Sequence, residues 1–110
     1  MSDALLVLTN LPDLLVAEAL ARQLVERKLA ACVNLLPVVQ SVYRWQGVVE
    51  QASEVALLIK TSAARYAELE HAIKAVHPYA LPAIIALPIV AGLPAYLDWI
   101  AAETQKDVNV

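Results

Sequence analysis

The sequence predicts an α+β sandwich. Its elements run β-α-β, β-α-β and then one further helix, with the first two helices on one face of an antiparallel sheet. Three observations predict it. The first is a stretch of β-branched and aromatic residues from Leu29 to Thr61, broken only by a short polar pause at Gln46-Gly47. The second is a pair of amphipathic runs, one on either side of that stretch. The third is two short apolar runs near the ends of the chain, ALLVL and IIALPIV. Strands and helices in that order give the split βαβ, ferredoxin-like arrangement. We expect one domain over 1–110, with an ordered core over about 4–103 and a frayed tail over 104–110.

Ala4 to Leu8 is a continuous apolar run and reads as a central strand covered on both faces. Asn10-Leu11-Pro12-Asp13 breaks it, and Asp13 suits the N-cap of a helix. From Leu14 to Leu29, Ala17, Leu20, Ala21, Leu24 and Lys28 recur at helical spacing. Glu18, Arg22 and Glu26 follow one another at i,i+4 on another face, and Arg27 and Lys28 suit the C-terminal turn.

The hairpin comes next. Gly47 supplies the positive φ that a tight turn needs. Each arm would run roughly 12–14 residues, far beyond the usual ~5–6 for a strand. Pro37 inside the first arm implies an edge position or a bulge. Thr61-Ser62 then opens a second helix to Val76, with Tyr66, Leu69, Ile73 and Val76 inward. His77-Pro78 stops it. Ile84 to Val90 reads as a buried fourth strand, and Gly92 turns the chain. Pro94 fits the first turn of a last helix with Tyr96, Leu97 and Ile100 on its apolar stripe.

Composition narrows the function. Hydrophobic residues make up 60% of the 110 and charged ones 17%, and so small a chain has too little interior for that excess, which points to a buried subunit interface. A hairpin longer than its domain points the same way. The net charge is −3 with no basic cluster, so the footprints of nucleic acid and of an anionic membrane surface are both missing. The uncharged run from Tyr79 to Leu97 is long enough to span a bilayer, yet Pro82, Pro88 and Pro94 forbid a continuous helix. Cys32 is the single cysteine. With no basic and apolar leader either, the expected compartment is the cytoplasm.

Two glycines cannot build a phosphate loop, and the sequence has no CxxC, HExxH or GxSxG. His71 and His77, six residues apart, fall on opposite faces of a helix and cannot clamp one ion together. Several residues carry two readings each. Cys32 is a small buried hydrophobe or a functional thiol. His77 is a structural cap or a ligand-facing imidazole. Lys60 either snorkels at the sheet end or meets an anionic ligand. Tyr43 and Trp45, with Arg44 between them, read as a contact with another subunit. Asp98 reads as part of a solvated face.

Taken in order, LAACVNLLP, SVYRWQG, EVALLIKT, HPYALPAIIALPI and YLDWI resemble the CutA divalent-cation-tolerance proteins, over roughly Leu5 to Ile100. The resemblance implies a ferredoxin-like subunit and a homotrimer whose long hairpins pair sheets between neighbours. It also implies tolerance to copper and other divalent ions, with Cu²⁺ bound by some members. Copper-binding bacterial members have a cysteine where this chain has Thr9 and a His pair where it has Val76-His77. Many relatives have acidic residues in the stretch that holds Ala80 and Ala83. A divalent ion would therefore rest on His77, helped by Tyr79 or Cys32. Those three and Lys60 are expected to line a cleft between subunits, in a protein that is not an enzyme. The similar PII trimers suggest an alternative, a sensor of a small anionic ligand with charge from Lys60 and Arg44 and a stacking surface from Tyr43 or Trp45. The ordinary structural reading open to each candidate residue leaves another, a structural trimer with no ligand.

Overall fold

A computed structural model describes residues 3–106. The order is β1 (Ala4–Leu11), α1 (Leu14–Glu26), β2 (Cys32–Trp45), β3 (Val48–Ser62), a short 3₁₀ turn (Ala63–Arg65), α2 (Tyr66–Val76), β4 (Ile84–Pro88) and α3 (Pro94–Glu103). The four strands form one antiparallel sheet in the order β2-β3-β1-β4. This is the expected α+β, ferredoxin-like arrangement.

Side chains that oppose each other across the ladder share a face. Val7, Thr9 and Leu11 of β1 stand opposite Ile59, Leu57 and Val55 of β3, and this face packs on α1 and α2. The core holds Leu20 and Leu24 of α1 with Leu69 and Ile73 of α2. The other face carries Leu6, Leu8, Leu36, Leu58, Ile85 and Leu87. α3 covers it at one end, where Ile100 packs with Ala4 and Ala31, and the loop from Pro78 to Ala83 lies against it beside Glu54.

Asp13 caps α1 as expected, its carboxylate accepting from the N–H groups of Leu15 at 2.7 Å and Val16 at 3.2 Å. The helix stops at Glu26, earlier than its apolar spacing implied. Lys28 adopts φ 59°, and the N–H groups of Lys28 and Leu29 return to the carbonyls of Val25 and Leu24. That is a Schellman closure with Leu29 buried against the core, and a lysine stands where glycine is usual. Arg65, itself buried, ties this end to the second half of the fold. Its guanidinium donates to the carbonyls of Lys28 (3.2 Å) and Arg27 (3.4 Å) and pairs with Glu68 (3.1 Å).

The hairpin matches its reading closely. Its arms have 14 and 15 residues, joined by Gln46 (φ 50°) and Gly47 (φ 83°), two successive positive φ angles as in a type I′ turn. Pro37 lies on an edge strand and within a register shift between Leu36 and Val39, so the edge and the bulge are both present. From Val48 to Glu54, β3 pairs with β2 alone, which leaves roughly 24 Å of two-stranded ribbon projecting past the sheet.

Other expectations need correction. The first strand continues through Leu11, because its pairing with β3 runs three residues past Leu8. The second helix proper begins at Tyr66, and Val76 at its end is exposed rather than inward. The fourth strand ends at Pro88, although the N–H of Ile89 still donates to the carbonyl of Ala4 at 3.0 Å, and it is an edge strand. Ile85 is 58% exposed and Leu87 43%, so within one chain this strand is not buried. At Gly92 the constraint is space, since a Cβ there would come within 3.0 Å of Leu97 Cδ2. Thr104, at the head of the stretch expected to fray, is buried and its hydroxyl donates to the carbonyl of Ile100. The last part of that tail, 107–110, lies outside the described residues.

Candidate functional site

β1, β3 and the loop from Pro78 to Ala83 meet beside the base of the projecting hairpin. They enclose a groove of ≈ 790 Å³ with Asn10, Ser41, Tyr43, Trp45, Glu54, Tyr79 and Ile85 among its lining. The hairpin contributes through its alternation. Tyr43 and Trp45 oppose Glu50 and Val48, while Arg44 opposes Val49 on the reverse side. The bulge at Pro37 sets this phase, because an extra residue before Val39 brings Val39, Ser41, Tyr43 and Trp45 onto the face opposite α1 and α2.

Glu54 is the charged residue of this groove. It is 8% exposed, and its Oε2 accepts the phenolic O–H of Tyr79 at 3.0 Å. Burial, then the hydrogen bond to Glu54 and the nearby negative charge, push the Tyr79 phenol up to about 12. The tyrosine is thereby held neutral and donating, which suits an ionised carboxylate partner. In the sequence Glu54 was one polar residue among Glu50, Gln51 and Ser53. Its place directly before the apolar run VALLI, where the ribbon enters the sheet, was the signal available.

His77 stands at the edge of this groove but does not open into it. Its Nε2 lies 2.7 Å from the carbonyl oxygen of Asn10, and its Nδ1 accepts the N–H of Tyr79 at 3.2 Å. A neutral ring with its proton on Nε2 satisfies both bonds. The imidazole thus joins the end of α2 to β1 and shapes the start of the loop, with its ring 5.0 Å from that of Tyr79.

Cys32 and Lys60 belong to a different place. They oppose each other across β2 and β3, and Lys60 Nζ lies 5.4 Å from the centre of the Tyr96 ring, a cation–π contact with α3. Cys32 Sγ is 3.8 Å from Asn34 Oδ1. Asn10, which holds His77, stands opposite Ala56, four residues from Lys60 along β3 and so roughly 14 Å away. Within one chain the four expected cleft residues therefore divide into two pairs, Cys32 with Lys60 and His77 with Tyr79. The sheet register keeps the pairs apart.

The chain matches the family described as CutA1 divalent ion tolerance protein over residues 5–103. It belongs to that family. The divalent-cation tolerance protein CutA of Thermus thermophilus is 47% identical over 98 residues, which cover 89% of this chain and 95% of that one. Mouse Protein CutA is 43% identical over 98 residues, but there the match spans only 55% of the relative. Among solved structures, CutA from Xylella fastidiosa superposes with a TM-score of 0.91 at 46% identity, over 94% of this chain and 100% of that one. The CutA family's association with divalent ions invites a test of fit. A tight site needs three or four donors on one ion. His77 has committed both nitrogens, Thr9 and Val76 are not donors of the kind, and no three His, Cys, Asp or Glu side chains gather among the described residues. The residues of a single CutA chain here do not fit a tightly held metal ion.

Proposed function

We propose that this protein is a non-enzymatic divalent-cation-tolerance protein that acts as a homotrimer in the cytoplasm. The observation that carries the assembly is the uncovered sheet face. Leu36, Ile85 and Leu87 stand exposed on it, both sheet edges are unpaired, and the hairpin projects with Val42 and Val49 on one side and Tyr43 and Trp45 on the other. Water-exposed apolar area of this kind, beside two open strand edges, is covered by association in stable proteins. A neighbouring copy is the economical cover, and the hairpin around Tyr43, Arg44 and Trp45 is the segment long enough to reach it.

The physiological role rests on membership of the divalent ion tolerance family and on relatives such as the divalent-cation tolerance protein of Thermus thermophilus. Any divalent ion, Cu²⁺ included, would be held weakly, by donors from more than one copy or by His77 after losing a backbone bond. The compartment rests on the lone Cys32. No helix among the described residues is long and apolar enough to cross a membrane. One relative is titled periplasmic, from Archaeoglobus fulgidus, and one chloroplastic, from Arabidopsis thaliana, so fractionation of the source cells is the check on location.

Sedimentation equilibrium and Cu²⁺ titration by calorimetry, on the protein and on a His77→Ala variant, test the reading. The expected result is a trimeric mass with weak Cu²⁺ binding that falls further in the variant. A monomer at working concentration would overturn the assembly. Unchanged copper sensitivity in cells lacking the protein would overturn the role.

A further inference from the structure

Glu54 is a carboxylate more than nine-tenths withdrawn from water, and among the described residues no cation pairs with it. Its bond in this fold is the one from Tyr79. A neighbouring copy laid over this end of the sheet withdraws it further. Hydrogen bonding alone only partly replaces lost hydration, so a carboxylate covered in that way needs an opposite charge. The cover itself has to bring it.

The hairpin says which residue does so. Its two faces are both apolar. Tyr43 and Trp45 line the groove of their own chain with Glu54 and Ile85. On the reverse side Val42 and Val49 stand exposed, and Arg44, directly opposite Val49, is exposed with them. Arg44 has no acidic partner among the described residues. It stands next to the end of its arm, on a ribbon that projects roughly 24 Å past the sheet, so it reaches beyond its own subunit. The other cations are placed elsewhere. Lys60 is held over Tyr96, Arg65 and Lys106 pair with Glu68, and the rest stand on or beside α1 and α2, on the other face of the sheet.

The valine side of one hairpin and the aromatic groove of the next subunit are different surfaces, so a contact between them is head to tail and is satisfied throughout only by a closed ring. Resting on the trimer proposed above, we propose that each Glu54 groove receives the valine side of a neighbouring hairpin, with Arg44 of the partner subunit paired to Glu54. A guanidinium suits the place. Its fork matches a carboxylate, and its plane stacks on rings such as those of Tyr43 and Trp45.

Sedimentation equilibrium over a dilution series tests the pairing, with circular dichroism to confirm that each variant is folded. Arg44 is exposed in a lone chain, so Arg44→Glu should leave the subunit intact while setting a like charge against Glu54. The trimer should then dissociate at least about ten-fold more readily. Glu54→Gln keeps the shape and an acceptor for Tyr79. Added to Arg44→Glu it removes the repulsion and should recover part of the loss. An Arg44→Glu protein as tightly trimeric as the native one would overturn the pairing, and so would a double variant no tighter than Arg44→Glu alone. Both outcomes leave the native trimer standing, whereas a native monomer would overturn the assembly and the pair with it.

Discussion

Thr9 carries a buried hydroxyl with no hydrogen-bond partner among the described residues, on the sheet face packed against the helices. An orphaned hydroxyl costs more than a methyl group of similar shape, so Thr9→Val should raise stability by about 1 kcal/mol, read as a higher urea midpoint. Tyr79 carries the clearest pH signature. Its phenol titrates near 10 when unfolded and at about 12 when folded, so the fold favours the protonated form. That contribution is complete below pH 10 and lost as pH rises towards 12. The stability advantage of the native protein over a Tyr79→Phe variant should shrink across that interval. A constant difference would mean that the bond to Glu54 is not formed in solution. At this scale the sequence was only half informative. His77 and Tyr79 were legible as candidates because a helix stop and a Pro-Tyr loop are local features. The partners they found, Asn10 and Glu54, lie 67 and 25 residues away.

At the scale of elements, local chemistry was a good guide wherever it acted alone. Asp13 was readable as a cap, and Asp13→Ala should cost about 1 kcal/mol. Gly47 was readable as a turn with positive φ. A Cβ there meets nothing within 4 Å, so Gly47→Val should cost about 1–2 kcal/mol through backbone strain alone. Unchanged thermal unfolding would show that the turn relaxes at no cost. The helix ends were less legible. Lys28 continues the amphipathic spacing of α1, but the chain leaves the helix there because Leu29 gains burial in the core and Arg65 takes up the carbonyls released at the end. Neither partner is local, so periodicity overran the helix by three residues. The fourth strand failed in the opposite sense. Apolar residues between prolines read as buried, yet the strand lies at an edge whose outer face is open.

For the whole molecule, the decisive feature is that one sheet face is sealed by α1 and α2 while the other is mostly bare. A Leu87→Glu substitution places a charge where a lone chain already meets water, so the subunit should keep its fold. The same charge would be desolvated in an assembly, and sedimentation should then report monomers. A trimer that survived it would put the contact elsewhere.

Element order, the cap at Asp13, the turn at Gly47, an edge or a bulge at Pro37 and the excess of apolar residues were all settled by the sequence. Each depends on neighbours within a few residues or on composition, which any unfolded chain displays. Only the tertiary structure decided which candidates stand together within one chain. Strand register separates Lys60 and Cys32 from His77 and Tyr79, the ladder with β1 ends at Val55, and the bulge turns Tyr43 and Trp45 towards a buried Glu54. Register is a property of paired strands, set by how two distant faces pack, and no single stretch of the chain contains it.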